Sequence, residues 1–167
     1  MEPNKECRTR SEFFVYSGTH DKMEKFDGRR KLMKLLTLIG SFCTIGFGVW
    51  HFFVPKTWNW YSYIVPEATE LVAAVRAINV FFSLSLVLFG AANLLVVFGS
   101  KNRYASIVLL SVSTVLWAVR CAMQLIYPQG SINPALQYGL LAAFILIFLC
   151  FAVAALFAAF GKQPSLT

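Results

Sequence analysis

The chain has 167 residues, of which 57% are hydrophobic and 14% are charged, and its formal net charge is +7. A mean hydropathy of +0.62 lies far above that of an ordinary soluble domain. The composition therefore excludes a soluble globular protein and indicates a membrane protein, whose positive charge is typical of a topology signal and of attraction to anionic lipid headgroups rather than of nucleic-acid binding.

Residues 1–31 differ in composition from everything that follows. They hold six of the eight acidic residues of the chain, interspersed with basic ones. We predict a cytoplasmic N-terminal tail, which is either solvated or lies on the headgroup layer with Met23 and Phe26 dipping into it. The segment lacks the features of a cleavable signal peptide, and its acidic residues argue against a mitochondrial transit peptide.

Four apolar runs follow, at about Leu32–Val54, Leu71–Phe98, Tyr104–Tyr127 and Pro134–Phe160. Each exceeds the roughly 20 residues that a helix needs to cross about 30 Å of hydrocarbon, where every backbone polar group must be satisfied internally. We therefore predict an all-α, polytopic protein: a bundle of four transmembrane helices over residues 32–160, followed by a short C-terminal tail at 161–167.

Basic residues are distributed unequally between the connections. They crowd the region before the first run and recur in the second connection as Lys101 and Arg103, whereas the first and third connections offer only Lys56. By the positive-inside rule, both termini are predicted to be cytoplasmic, with the loops at 55–70 and 128–133 facing outward. The expected location is a plasma membrane or a bacterial inner membrane.

Polar and small residues recur at helical spacing in the first three runs, so that each set lies on one face. The sets are Thr37, Ser41, Thr44, Gly48 and His51; Arg76, Asn79, Ser83, Gly90 and Asn93; and Ser106, Ser113, Trp117, Arg120 and Gln124. The fourth run has no comparable face. Because polar side chains in hydrocarbon turn toward other helices, we predict that three helices converge on a polar seam and that the fourth closes the bundle from outside.

Five of these polar residues are expected at similar depth in the outer half of the membrane: His51, Arg76, Asn79, Arg120 and Gln124. No Asp or Glu occurs in the first run or anywhere after Glu70. An arginine cannot discharge itself by losing a proton, so water, a headgroup, a backbone carbonyl, a partner subunit or an anionic ligand must meet the two charges. The five side chains are the predicted ligand-binding site; in the alternative, the arginines are independent anchors that snorkel to lipid phosphate.

The first outer loop, PKTWNWYSYIVPEATE, is rich in aromatic residues. Such rings are typical of the headgroup level, where they form an aromatic belt. The alternative is a gate across the mouth of the polar seam, formed by Trp58, Trp60, Glu67 and Glu70.

The stretches GVWHFFVPKTWNWYSYIVP and LVLFGAANLL, with the basic inner turn after them, resemble those of the small DoxX-like four-helix membrane proteins. The resemblance covers about residues 33–160. It implies a four-helix fold and a quinone-linked or accessory role. The chain departs from that pattern because it has no acidic residue within the second helix, where Arg76 and Asn79 stand instead.

The inventory of reactive side chains is small. His51 with Glu67 or Glu70 is the only set suited to acid–base catalysis, and two histidines with scattered cysteines do not supply the ligands of a metal site. We therefore expect a binding or accessory protein whose pocket takes a lipid headgroup or a quinone. The alternatives are a structural subunit of a larger complex or homo-oligomer, a quinone-linked oxidoreductase whose redox centre lies in another chain, and a transporter.

Overall fold

The computed structural model describes residues 5–100, 102–129 and 133–161, with side chains from residue 27 onward. The long helices are α1 (Lys5–His51), α3 (Thr69–Leu94), α4 (Arg103–Ile126) and α5 (Pro134–Phe160). A short helix α2 (Val54–Thr57) and a 3-10 turn (Trp60–Tyr63) lie between α1 and α3, and a π-helical turn (Leu95–Gly99) extends α3. The side chains of the N-terminal segment to residue 26 and the tail after Gly161 lie outside the described residues.

Within the described residues, four helices are long and apolar enough to cross a membrane. The spans are Asp27–His51, Thr69–Gly99, Arg103–Ile126 and Pro134–Phe160. The part of the chain that the structure describes contains no strand. The prediction of an all-α protein with four membrane-spanning helices is therefore confirmed, and α1 also continues without a break from the span back to Lys5.

Two helix starts follow directly from capping residues in the sequence. The Asn133 Oδ1 atom accepts hydrogen bonds from the backbone N–H groups of Ala135 and Leu136, at 3.1 and 3.4 Å, and Pro134 occupies the first turn of α5. Asn102 caps α4 in the same way, through Ala105. Asparagine at the cap and proline just inside the helix are favoured because the first amide groups have no partner within the helix.

The polar faces predicted for the first three spans are mostly buried inside the bundle. Their hydroxyl groups are largely satisfied by the carbonyl oxygen four residues earlier, as for Thr44 with Gly40 at 2.7 Å and Ser83 with Asn79 at 2.7 Å. One side-chain hydrogen bond joins α3 to α4, from Asn93 Nδ2 to Ser113 Oγ at 2.7 Å. The polar faces therefore pack against other helices, because lipid would offer these groups no hydrogen-bond partner.

Helix α5 lies at the centre of the packing rather than outside it. It packs along both α1 and α4, whereas α3 packs mainly on α1 and makes few contacts with α4. It also supplies many of the buried apolar residues: Phe144, Ile147, Cys150, Phe151, Ala154 and Ala158. The prediction that three polar helices converge and the fourth closes the bundle from outside is therefore wrong.

Small residues explain the position of α5. A Cβ atom added at Gly40 of α1 would meet the Phe151 ring and the Cys150 Cβ atom at 3.3 Å, so the two helices approach closely there. Ala154 and Ala158 are buried one turn apart on the same helix. In lipid, close van der Waals packing at small residues drives helix association, and a polar face is not required.

The two ends of the bundle differ chemically. At the basic end, which we define by Lys34, Gly99 and Arg103, the Arg103 guanidinium donates hydrogen bonds to the carbonyl oxygens of Ala158 and Ala159, at 2.8 and 2.6 Å. These are among the last carbonyls of α5, which have no partner within the helix, and a cation there also complements the helix dipole. Arg103, expected only as a topology signal, thus also holds the end of α5 against α4.

Candidate functional site

Polar side chains of α1 and α3 meet at the loop end of the bundle, which we define by His51, Trp60 and Gln129. The His51 Nδ1 atom lies 3.3 Å from the Ser83 hydroxyl oxygen on α3. Asn79 lies beside the same imidazole and is only 6% exposed. Its Oδ1 atom is buried and has no hydrogen-bond partner among the described side chains. We call His51, Asn79 and Ser83 the His51 cluster. Its Asn79 Oδ1 atom can accept a hydrogen bond from a ligand.

Arg120 of α4 forms a second cluster beside the first. Its guanidinium lies 4.3 Å from the centre of the Phe144 ring and donates a hydrogen bond to Gln129 Oε1. Arg120 is half-buried, and the Phe47 ring connects it to the first cluster, because its centre lies 5.2 Å from that of Phe144 and 5.8 Å from that of His51. The two clusters therefore belong to one region at the loop end.

Gln124 holds the connection after α4 in place. Its side chain is 2% exposed, donates to the Gln129 carbonyl oxygen at 3.0 Å and accepts from the Gln129 amide at 3.4 Å. Both ends of this amide are thus used within the chain. Gln124 thus holds the backbone of Gln129 in place, and the Gln129 side chain accepts the hydrogen bond from Arg120. Gln124 therefore positions the Arg120 cluster indirectly.

Arg76 lies apart from these groups. Its side chain is exposed, and its guanidinium lies 5.7 Å from the centre of the Tyr61 ring. Residues three apart on a helix differ by about 60° in direction, so α3 buries Asn79 and leaves Arg76 outside. The structure therefore brings together His51, Asn79, Arg120 and Gln124, while Arg76 shares none of the contacts described for Arg120.

The aromatic loop returns onto the end of α1. Asn59, at a φ of 47°, adopts the left-handed conformation that asparagine tolerates and turns the chain. The Trp60 ring then lies 6.3 Å from the His51 ring, centre to centre, at an interplanar angle of 75°, and the centre of the Trp58 ring lies 5.6 Å from that of Trp50. Trp60 thus covers one side of the His51 cluster, while Trp58 packs on α1.

Within the described part of the chain, no carboxylate forms an ion pair with Arg76 or Arg120. Glu67 and Glu70 are exposed, and the only ion pair among the described residues joins Lys31 to Asp27 at 2.6 Å. A half-buried cation surrounded by an amide and a ring is costly in a membrane-spanning protein, because neutral neighbours compensate only part of its lost hydration. The charge of Arg120 is thus available to an anion or to a strong acceptor.

Three residues that contact the two arginines were not predicted as site residues: Tyr61, Gln129 and Phe144. Gln129 lies beyond Pro128 in a short connection, and Phe144 belongs to an apolar helix without a polar face, so neither follows the helical spacing of the predicted set. The signal that could have found Gln129 is its position five residues after Gln124, within reach of the last turn of α4.

Comparisons of the chain with protein-family models, with curated proteins and with solved structures find no match. No group of three metal-ligating side chains occurs among residues 27–100, 102–129 and 133–161.

Proposed function

We propose that this protein is a binding or accessory membrane protein whose loop-end site takes an anionic or amphiphilic small molecule, either a lipid headgroup or a quinone. The observation that carries the proposal is Arg120, a half-buried cation whose described neighbours are all neutral. The unpartnered Oδ1 atom of Asn79 adds a buried acceptor nearby. By the positive-inside rule, this end faces outward and both termini are cytoplasmic. Membership of the DoxX-like group is part of the same proposal.

The donors and acceptors suit such a ligand. The Arg120 guanidinium would donate to a phosphate oxygen or to a quinone carbonyl, because it offers several N–H groups in a fixed fork. Ser83 donates its proton to the Asn79 backbone carbonyl, so His51 Nδ1 donates to Ser83 and Nε2 remains an acceptor. His51 Nε2 and the Asn79 side-chain oxygen would therefore accept from ligand hydroxyl groups. Trp60 would cover the ligand and exclude water, which is the gating role available to the aromatic loop. Arg76, exposed beside Tyr61, lies apart from this site and is not expected to contact the ligand.

A second candidate is an accessory subunit in which a carboxylate of a partner protein meets an arginine. The exposed position of Arg76 favours it, because that guanidinium has only the Tyr61 ring as a described partner. A quinone-linked oxidoreductase complex would be one such assembly, with the redox centre in the partner.

Native mass spectrometry of the protein extracted gently from its membranes tests these proposals. We expect a bound lipid or quinone on the wild type, reduced about tenfold or more by Arg120→Gln, because a lost hydrogen bond to a charged group is worth about 1.5–3 kcal/mol. Arg76→Gln is the matched control and should keep the ligand. An unchanged ligand complement on folded Arg120→Gln would contradict binding at the loop-end site. A bound protein that is lost with Arg76→Gln would favour the accessory subunit.

A further inference from the structure

An apolar groove lies between α1 and the end of α3 at the basic end, far along both helices from the loop-end site. Its volume is about 500 Å³, within the range of small-molecule sites. The lining residues are Leu38, Phe42, Leu94, Leu95, Phe98 and Gly99. No polar side chain is among them, so the groove is suited to a hydrocarbon chain.

The π-helical turn at Leu95–Gly99 forms one wall of this groove. A π turn inserts an extra residue and changes the direction of the side chains that follow; such turns are frequent at functional sites. Here Val97 is buried toward the bundle, whereas Leu95 and Phe98 are exposed on the groove side. Gly99 closes the turn without a side chain, and a Cβ atom added there would meet nothing within 4 Å. The groove is therefore open beside Gly99 because the π-helical turn directs the backbone away and Gly99 has no side chain to fill the space.

A cation stands at the rim of the groove. The Lys34 Nζ atom lies 5.4 Å from the centre of the Phe98 ring, and the side chain is half-buried. Asp27 is paired with Lys31, and no other ion pair occurs among the described residues. Arg30 lies one turn before Lys34 on α1 and is exposed. An unpaired ammonium beside a hydrocarbon groove complements a lipid whose phosphate is attached to an acyl chain.

We propose that the groove holds one acyl chain of an anionic phospholipid, with the phosphate of that lipid at Lys34. The site is independent of the loop-end site and lies in the opposite leaflet. Moving a chain from bilayer hydrocarbon into an apolar groove gains little, because both surroundings are equally apolar. The preference for a particular lipid must therefore come from the charge at Lys34, supported by Arg30.

Lipid titrations of delipidated protein, followed by native mass spectrometry, test the site. The probes are phosphatidylglycerol and phosphatidylcholine with identical chains. We expect one tightly bound phosphatidylglycerol, and Lys34→Gln should weaken its binding about fivefold, the effect of one basic residue near an anionic surface. Lys31→Gln is the charge-matched control and should have a smaller effect, because Lys31 is already paired with Asp27.

Filling the groove provides the second arm. Gly99→Leu should remove the bound lipid of either headgroup, and Gly46→Leu is its control, because Gly46 has the same open surroundings but does not line the groove. If Gly99→Leu does not fold, Leu38→Trp narrows the groove from the α1 side. Folded groove-filling protein that retains the lipid would overturn the proposal, as would equal binding of both lipids with no effect of Lys34→Gln. Arg120→Gln should leave this binding intact, which separates the site from the loop-end ligand.

Discussion

Replacing Phe144 by alanine is expected to lower the free energy of unfolding by about 2 kcal/mol, because the lost ring leaves a cavity of roughly 100 Å³ at about 24 cal/mol per Å³, while no transfer from water contributes in hydrocarbon. Phe144 has no exposed surface and joins three helices. Its ring centre lies 5.2 Å from Phe47 on α1 and 5.7 Å from Trp117 on α4, and the Arg120 guanidinium stands over its face. Thermal unfolding of the monodisperse protein in a mild detergent measures the loss.

Phe160→Ala is the matched control on the same helix. The Phe160 side chain is 76% exposed, so its removal should change the stability by no more than about 0.5 kcal/mol. Phe144→Leu keeps most of the volume but removes the ring under Arg120, and it should lose less stability than Phe144→Ala. Equal effects of Phe144→Ala and Phe160→Ala would contradict the central position of α5.

Replacing Gly90 by leucine is expected to force α1 and α3 apart. Even a single Cβ atom at Gly90 would lie 2.6 Å from Ile45 Cγ1 and 2.9 Å from the Ser41 carbonyl oxygen. A backbone oxygen cannot move aside as the end of a flexible side chain can. Overpacking of this kind costs about 1–3 kcal/mol or more, against a gain of about 1 kcal/mol in helix propensity. We expect a lower unfolding temperature and weaker binding at the His51 cluster, because Ser83 and Asn79 would shift with α3.

Gly46→Leu separates the packing effect from the change in helix propensity. Both glycines lie in membrane-spanning helices, but a Cβ atom at Gly46 meets nothing within 4 Å. The Gly46 variant should be as stable as the wild type or slightly more stable. If Gly90→Leu were equally well tolerated, the close contact of α1 with α3 would be wrong.

The helices themselves were predictable because a membrane imposes one strong condition. Each apolar run had to satisfy its backbone internally over about 30 Å, so length and hydropathy were sufficient. The run predicted at Pro134–Phe160 has the bounds of α5, and Asn133 caps that helix because capping acts within a few residues. The buried polar faces followed from helical spacing for the same local reason.

The arrangement of the helices depended on contacts that spacing does not describe. Because α5 has no polar face, the spacing pattern placed it outside the bundle. In the structure, Gly40 of α1 and the buried alanines of α5 let these two helices approach closely, and no polar residue is needed for that contact. Likewise, the sequence predicted that Arg76 and Arg120 lie at the same depth in the membrane. Their side chains nevertheless point in different directions around their helices, so that Arg76 contacts Tyr61 and Arg120 contacts Phe144. A shift of about 60° decides whether a side chain faces the bundle or the lipid, and tertiary packing sets that direction.

Photolabelling tests the loop-end site most directly. Protein in membrane vesicles would be irradiated with a quinone and with a phospholipid that carry a diazirine on the ring or headgroup, and the labelled peptides would be mapped. We expect one of these probes to label peptides around His51, Asn79 and Arg120 and to lose that labelling in Arg120→Gln but not in Arg76→Gln. Labelling spread evenly over the exposed faces of the helices, and unchanged by Arg120→Gln, would contradict a ligand site at Arg120.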